Sequence, residues 1–214
     1  MRGRVVQVHR KAKQGRARGV PKQAVAEITI TAEGVEGDFN RWRTEKANRD
    51  PDHAVLLLSD ETLADLRTEG WPVQRGELGE NVTMAGIPPT ALGPGVRVHL
   101  GEVVLEVSKP CDPCTVLYSL PYVGLERGPG FIRTLQGRRG WFARVVRGGT
   151  IQPEMAIEVE TAGLSLPIVL FARAALRPNR RHHDARSGCD RQRRQRAARS
   201  GRGRMRRHPP SRRT

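Results

Sequence analysis

Residues 96–100 and 103–108 are two apolar runs separated only by Gly101-Glu102. Strand-length runs joined by a two-residue connection containing glycine make a hairpin. A hairpin commits this part of the chain to a sheet, and the same pattern recurs along the sequence. Residues 4–8, 54–58, 82–84, 141–146 and 156–159 read as further short strands. Residues 24–31 read as one strand, with Ala24, Ala26, Ile28 and Ile30 on one face. Helices are few. Ser59 caps a short one over 60–69, with Asp60 and Glu61 in its first turn, Leu63 and Leu66 on its apolar side, and Gly70 and Pro72 beyond its end. A second is expected over 130–136. Residues 39–53 read as a long charged loop, and Gly148-Gly149 as the turn between the last two strands. No internal repeat is present. Short strands with frequent turns predict a mainly β fold, a barrel or a sandwich.

The net charge of +16 is unevenly spread. From position 172 to the end there are 16 Arg, no Lys and 2 Asp, which leaves 22 basic and 20 acidic residues in the preceding part. The expected organisation is a nearly neutral domain over 1–161 and an Arg-rich, disordered tail over 162–214, since such a composition cannot bury a core. Two readings of the tail stand: a non-specific contact for nucleic acid or another acidic surface, or an out-of-frame read of GC-rich DNA. The longest apolar run, 164–171, is interrupted by Ser165 and Pro167 and falls far short of the ~20 residues of a membrane span. With no apolar leader and only three cysteines, the expectation is a cytoplasmic protein with no membrane partner.

The chemistry concentrates where the hairpin ends. Ser108-Lys109-Pro110-Cys111-Asp112-Pro113-Cys114 places two thiols in a loop just after a strand. A C-x-x-C pair serves as a redox dithiol or as half of a zinc site. Zinc needs further ligands, and His9, His53 and His99 are scattered. The βαβ setting of a thioredoxin-type motif is missing.

Four motifs occur in order: Gly34-Val35-Glu36-Gly37-Asp38, Gly79-Glu80-Asn81, Pro113-Cys114 and Gly140-Trp141-Phe142-Ala143-Arg144-Val145. Together they resemble the MOSC family, named for the C-terminal domain of molybdenum cofactor sulfurase, and in particular its small standalone bacterial members. The resemblance spans about residues 4–160. It implies a β-barrel with a few short helices that handles molybdenum cofactor. It places the family's thiol on Cys114, as a molybdenum ligand or a sulfur carrier. Cys111 has no role in that common pattern, Gln152-Pro153-Glu154-Met155 replaces a Gly-Asp turn, and the tail from 162 has no counterpart.

Against that background, Glu80 and Asn81 offer an acceptor and a two-sided amide to the edge of a pterin, or else brace their own loop. Asp38 closes a glycine-rich turn, as a site residue or as a cap. Arg41 is a candidate for the cofactor's phosphate in a loop that also carries Arg43 and Lys46. Lys22 is a further anion contact. Arg144 interrupts an apolar strand, to orient an anionic cofactor or to form an ion pair. The reading is a molybdenum-dependent oxidoreductase acting on N-hydroxylated or similar small molecules, or a sulfur carrier, through Cys114 with Cys111 as an auxiliary thiol. It needs an external electron or sulfur donor, because no flavin, haem or iron–sulfur signature is present. Pyridoxal phosphate is not expected, since it belongs to the other domain of full sulfurases. The alternatives are a metal-free dithiol oxidoreductase using Cys111 and Cys114, and an anion- or nucleic-acid-binding protein using the tail.

Overall fold

The computed structural model describes residues 1–15 and 18–160, excluding the side chain of Arg41. The expectations for 162–214 lie outside the described residues. Among the described residues eleven strands and three α-helices follow in order: β1 (Arg2–Arg10), β2 (Gln23–Val25), β3 (Ile28–Thr31), β4 (Gly34–Val35), α1 (Arg41–Glu45), β5 (Val55–Ser59), α2 (Asp60–Thr68), β6 (Val82–Ala85), β7 (Arg97–Leu100), β8 (Val103–Pro110), α3 (Gly124–Thr134), β9 (Trp141–Arg147), β10 (Gly149–Ile151) and β11 (Ala156–Glu160). Short 3-10 turns occupy Pro51–His53, Pro89–Ala91 and Thr115–Ser119.

Seven strands close a barrel in the order β11-β7-β8-β9-β5-β6-β1, with β1 pairing back to β11. Closure leaves no free edge within that ring. Its contacts are antiparallel except for β5 with β6. That parallel pair needs a crossover, and α2 supplies it. β2 extends the barrel from β1, while β10, β3 and β4 form a separate three-stranded sheet.

Every residue of β5 is buried. Its inner face joins the barrel core, where Leu57 meets Val5, Val82, Leu105 and Ala143 in one cluster. Its outer face is covered as well: Leu58 belongs to a second cluster with Leu63, Leu66, Leu78, Leu117 and Phe131. A strand covered on both faces reads as a continuous apolar run rather than an alternating one. The second cluster also fixes the site, because Leu78 and Leu117 anchor two loops from different parts of the chain against each other.

The hairpin, the mainly β class and the helix after Ser59 agree with the sequence reading, and Ser59 Oγ accepts from Thr62 N at 3.3 Å. Four local readings need correction. The run 24–31 is two strands, because the chain bends at Ala26 and leaves β1 to pair with β10. The charged loop 39–53 contains α1, capped by Asn40, and a 3-10 turn whose His53 lies between Trp42 and Phe142 at ring distances of 4.4 and 4.7 Å. The second helix begins earlier, at Gly124, despite Gly128 and Pro129. Local propensity disfavours it there, but the Tyr118 ring lies against Gly128 and Phe131 is fully buried. Gly148-Gly149 does not join the last two barrel strands directly; it leads into β10, and only then does the chain return as β11. The unusual segment 152–155 still delivers a regular last strand, which pairs with both β7 and β1.

Candidate functional site

The loop from Gly76 to Asn81 lies between two polar groups of residues. On one side stands Asn81. Its Oδ1 accepts from Leu56 N at 3.1 Å, and its Nδ2 donates to His9 O at 3.3 Å and to Asp38 Oδ2 at 3.0 Å. The amide thereby ties β5, β1 and the 34–38 turn together. Asp38 Oδ2 also accepts from Lys22 Nζ at 2.5 Å, and its Oδ1 from Lys11 N at 2.8 Å. The Lys22 and Asp38 side chains are only 3% and 7% exposed, so this is a buried ion pair, and Asp38 accepts from two further donors.

Glu80 is fully buried within the same loop. One carboxylate oxygen accepts from Gly76 N and, at 3.4 Å, from Thr83 Oγ1, while the other has no partner. Burial pushes its carboxyl above the usual range. Gly76 has φ +86°, and a Cβ there would lie 2.5 Å from Lys22 O and 2.9 Å from the His9 ring. His9 is itself fully buried with neither ring nitrogen partnered, and burial followed by the Lys22 charge lowers it to about 4.

On the other side stand the cysteines. Cys111 N donates to Gly140 O at 2.9 Å, its side chain is buried, and burial lifts its thiol to about 11. Gly140 has φ +90° and sits so close to β5 that a Cβ would lie 2.2 Å from Leu57 O. Cys114, three residues on, is exposed in extended backbone at the start of the 3-10 turn Thr115–Ser119. Arg139 joins the two loops. Its Nε and Nη2 donate to Leu78 O at 3.2 and 3.0 Å, and its Nη1 donates to Asp112 O at 2.9 Å and reaches Cys114 Sγ at 3.5 Å.

Of the residues singled out from sequence, Lys22, Asp38 and Asn81 therefore form one network, Glu80 braces the connecting loop, and Cys111 and Cys114 share the other side. Arg144 is elsewhere: its guanidinium meets Asp52 at 3.1 Å and Glu106 at 3.7 Å on the outer face of β9. The Arg41 side chain lies outside the described residues. Its neighbour Arg43 lines a polar recess with Asp38, Asn40, Thr44, His53 and Asn81. Sequence reading passed over Arg139 and left His9 as an unplaced histidine. The signal for Arg139 was faint: a basic pair, Arg138-Arg139, immediately before Gly140. Among the described residues no three His, Cys, Asp or Glu side chains converge as metal ligands, and no helix is long and apolar enough to cross a membrane.

The model of the MOSC domain matches residues 44–158, more than half of the chain. The chain belongs to the MOSC family. A search of curated proteins gives no match. Among solved structures, YuaD from Bacillus subtilis is similar at 22% identity and a TM-score of 0.63, over 74% of this chain and 96% of that one. YiiM from Geobacillus stearothermophilus is similar at 22% identity and a TM-score of 0.58, over 76% and 77%. YiiM from Escherichia coli is similar at 23% and 0.54, over 74% and 69%. At these identities the likeness speaks for the fold. The MOSC match begins at Thr44 and so takes in the thiol loop and the 76–81 loop, but not Lys22 or Asp38.

Proposed function

We propose that this MOSC protein binds molybdenum cofactor through Cys114 and acts as a small molybdenum oxidoreductase on N-hydroxylated or similar substrates. The observation that carries this reading is the contrast between its two described body cysteines: Cys111 is buried, while Cys114 is exposed beside a buried guanidinium. The donor set fits the group. A thiolate is a soft ligand suited to molybdenum, and the exposed Cys114 sulfur is open to it. Bound there, the cofactor would supply two-electron redox chemistry that removes oxygen from the substrate. The chain's own contribution would be to present the Cys114 sulfur and to keep the 76–81 loop rigid through Asn81 and Glu80. Electrons would come from an outside donor, and two unpaired body thiols suit the reducing cytoplasm.

A second reading, sulfur carriage on Cys114, uses the same exposed thiol. In the dithiol alternative Cys114 would be the attacking thiol and Cys111, which burial holds protonated at neutral pH, the resolving one. The test is molybdenum and pterin content of freshly purified wild type and Cys114→Ser, from cells that make the cofactor. Both present in the wild type and lost from the variant is the expected result. Neither present in the wild type overturns the cofactor reading and leaves sulfur carriage or dithiol chemistry.

A further inference from the structure

Several arginines of this domain hold a carboxylate. Arg4 meets Glu154, Arg49 meets Glu33, Arg75 meets Asp60 and Arg138 meets Glu69, each at 2.7–2.8 Å. Arg43, half-buried on α1, does not. Its Nε donates to Asp50 O at 3.0 Å and its Nη2 to Arg49 O at 3.2 Å. Among the described residues no carboxylate lies within ion-pair distance of it, and Nη1 has no partner. Carbonyls satisfy two donors and leave the charge unneutralised, while burial works against that charge.

The recess that Arg43 lines has a volume of about 20 Å³. One water-sized atom needs about 10–15 Å³, so the recess takes a single polar atom. Part of its wall is already occupied. Asn81 uses its oxygen and both amide hydrogens within the protein, and Asp38 accepts from three N–H groups. Arg43 Nη1, Asn40 Nδ2 and Thr44 Oγ1 have no protein partner, and all three can donate. Asp38 has its counter-charge in Lys22, and burial holds His53, bound to Asp50 through Nδ1, below its usual value. The net charge of the lining is therefore that of Arg43. Two more cations without a carboxylate partner border the 37–39 turn that carries Asp38. Arg10 Nη1 lies 3.2 Å from where a Gly37 Cβ would stand, and Lys13 Nζ lies 5.6 Å from the centre of the Phe39 ring. Against them stands one exposed acid, Glu36.

We infer that this recess is a phosphate site: one phosphate oxygen enters it and is held by Arg43, Asn40 and Thr44, with the rest of the group outside in the field of Arg10 and Lys13. A metal cation is opposed by Arg43. A water molecule fits the space but leaves the arginine charge unanswered. A carboxylate fits too, but carries one charge where three cations gather, whereas a phosphate carries up to two. The site does not use Cys114 and stands apart from the reading above. A phosphate group belongs to molybdenum cofactor and to phosphorylated small molecules alike, and the experiment separates the two.

The test is thermal melting of the full chain with sodium phosphate or sodium acetate exchanged for sodium chloride at constant ionic strength. It is run in wild type and in Cys114→Ser, with molybdenum and pterin measured on each sample. A ligand that binds only the folded state raises the melting temperature. Phosphate also strengthens burial in general, and every variant keeps the Arg-rich tail, so the quantity read is the difference from Arg43→Gln in the same background. Phosphate is expected to raise the melting temperature of Cys114→Ser more than acetate does. Adding Arg43→Gln should weaken the apparent phosphate affinity about tenfold or more, the effect of one charge-assisted hydrogen bond. Thr44→Val should weaken it several-fold, and Arg133→Gln, an exposed cation on α3, should leave it unchanged. A phosphate response that survives Arg43→Gln overturns the inference, as does an equal response to acetate. If Arg43→Gln fails to fold, an unchanged response in Thr44→Val overturns it instead. A response seen in Cys114→Ser but blocked in cofactor-loaded wild type assigns the site to the cofactor's own phosphate. One that persists in loaded wild type assigns it to another phosphorylated molecule. Absence of molybdenum from every sample, with the phosphate response intact, would remove the cofactor reading and leave this site standing.

Discussion

Asp38→Ala is expected to be among the most damaging single substitutions outside the apolar core. Asp38 serves three donors at once: Lys22 Nζ at 2.5 Å, Asn81 Nδ2 at 3.0 Å and Lys11 N at 2.8 Å. The alanine variant strands Lys22, whose side chain is 3% exposed, without a counter-charge. Removing one partner of a buried ion pair costs about 3–5 kcal/mol. At roughly 2–4 °C per kcal/mol for a domain of this size, the melting temperature should fall by about 10 °C. The double variant Lys22→Met/Asp38→Leu removes the stranded charge and leaves only two donors short of a partner, at about 1 kcal/mol each. It should therefore be about 2 kcal/mol more stable than Asp38→Ala. Urea unfolding followed by tryptophan fluorescence measures both. A cost below about 1 kcal/mol for Asp38→Ala, or a double variant weaker than the single one, would refute the claim that the pair is a buried, mutually dependent unit.

His9 makes stability depend on pH. Its folded value of about 4 lies below the unfolded value of 6.5, so between these pH values the unfolded chain binds more protons, and stability falls as pH drops through that window. The full effect is about 3 kcal/mol. His9→Gln should flatten this acid limb relative to wild type, as read from denaturant midpoints between pH 7 and 4; parallel curves would contradict it. Glu80 works in the opposite direction, because its raised carboxyl favours folding as pH falls, so the difference between wild type and His9→Gln is the quantity to read. Limited alkylation of native protein at neutral pH should label Cys114 well before Cys111, with Cys111 labelled only on denaturation, since one is exposed and the other is buried with its thiol near 11. Equal labelling in a peptide map would show that the thiol loop opens readily.

Much of the local structure was legible in sequence because strands, hairpins and caps are short-range events. Gly101-Glu102 announced the β7–β8 hairpin, Ser59 announced α2, and the end of β8 put both thiols into a loop. What misled was also local. Breakers at Gly124, Gly128 and Pro129 hid the start of α3, and the charges of 39–53 hid α1. In both places packing around an aromatic, Phe131 in one and His53 with its two neighbours in the other, outweighs propensity.

The sequence alone therefore determined most of the barrel strands, that the fold is mainly β, and that Cys111 and Cys114 sit close together after a strand end. Only the tertiary structure decided that β11 returns to close the ring on β1, and that β5 is covered on both faces. It also decided that, of two adjacent arginines, one faces Glu69 at the surface while the other is buried against Cys114. The physical reason is the same in each case. Propensity and alternation act over a few residues, whereas the partner of a buried charge or of a barrel edge comes from a distant part of the chain and is chosen only when the core has formed.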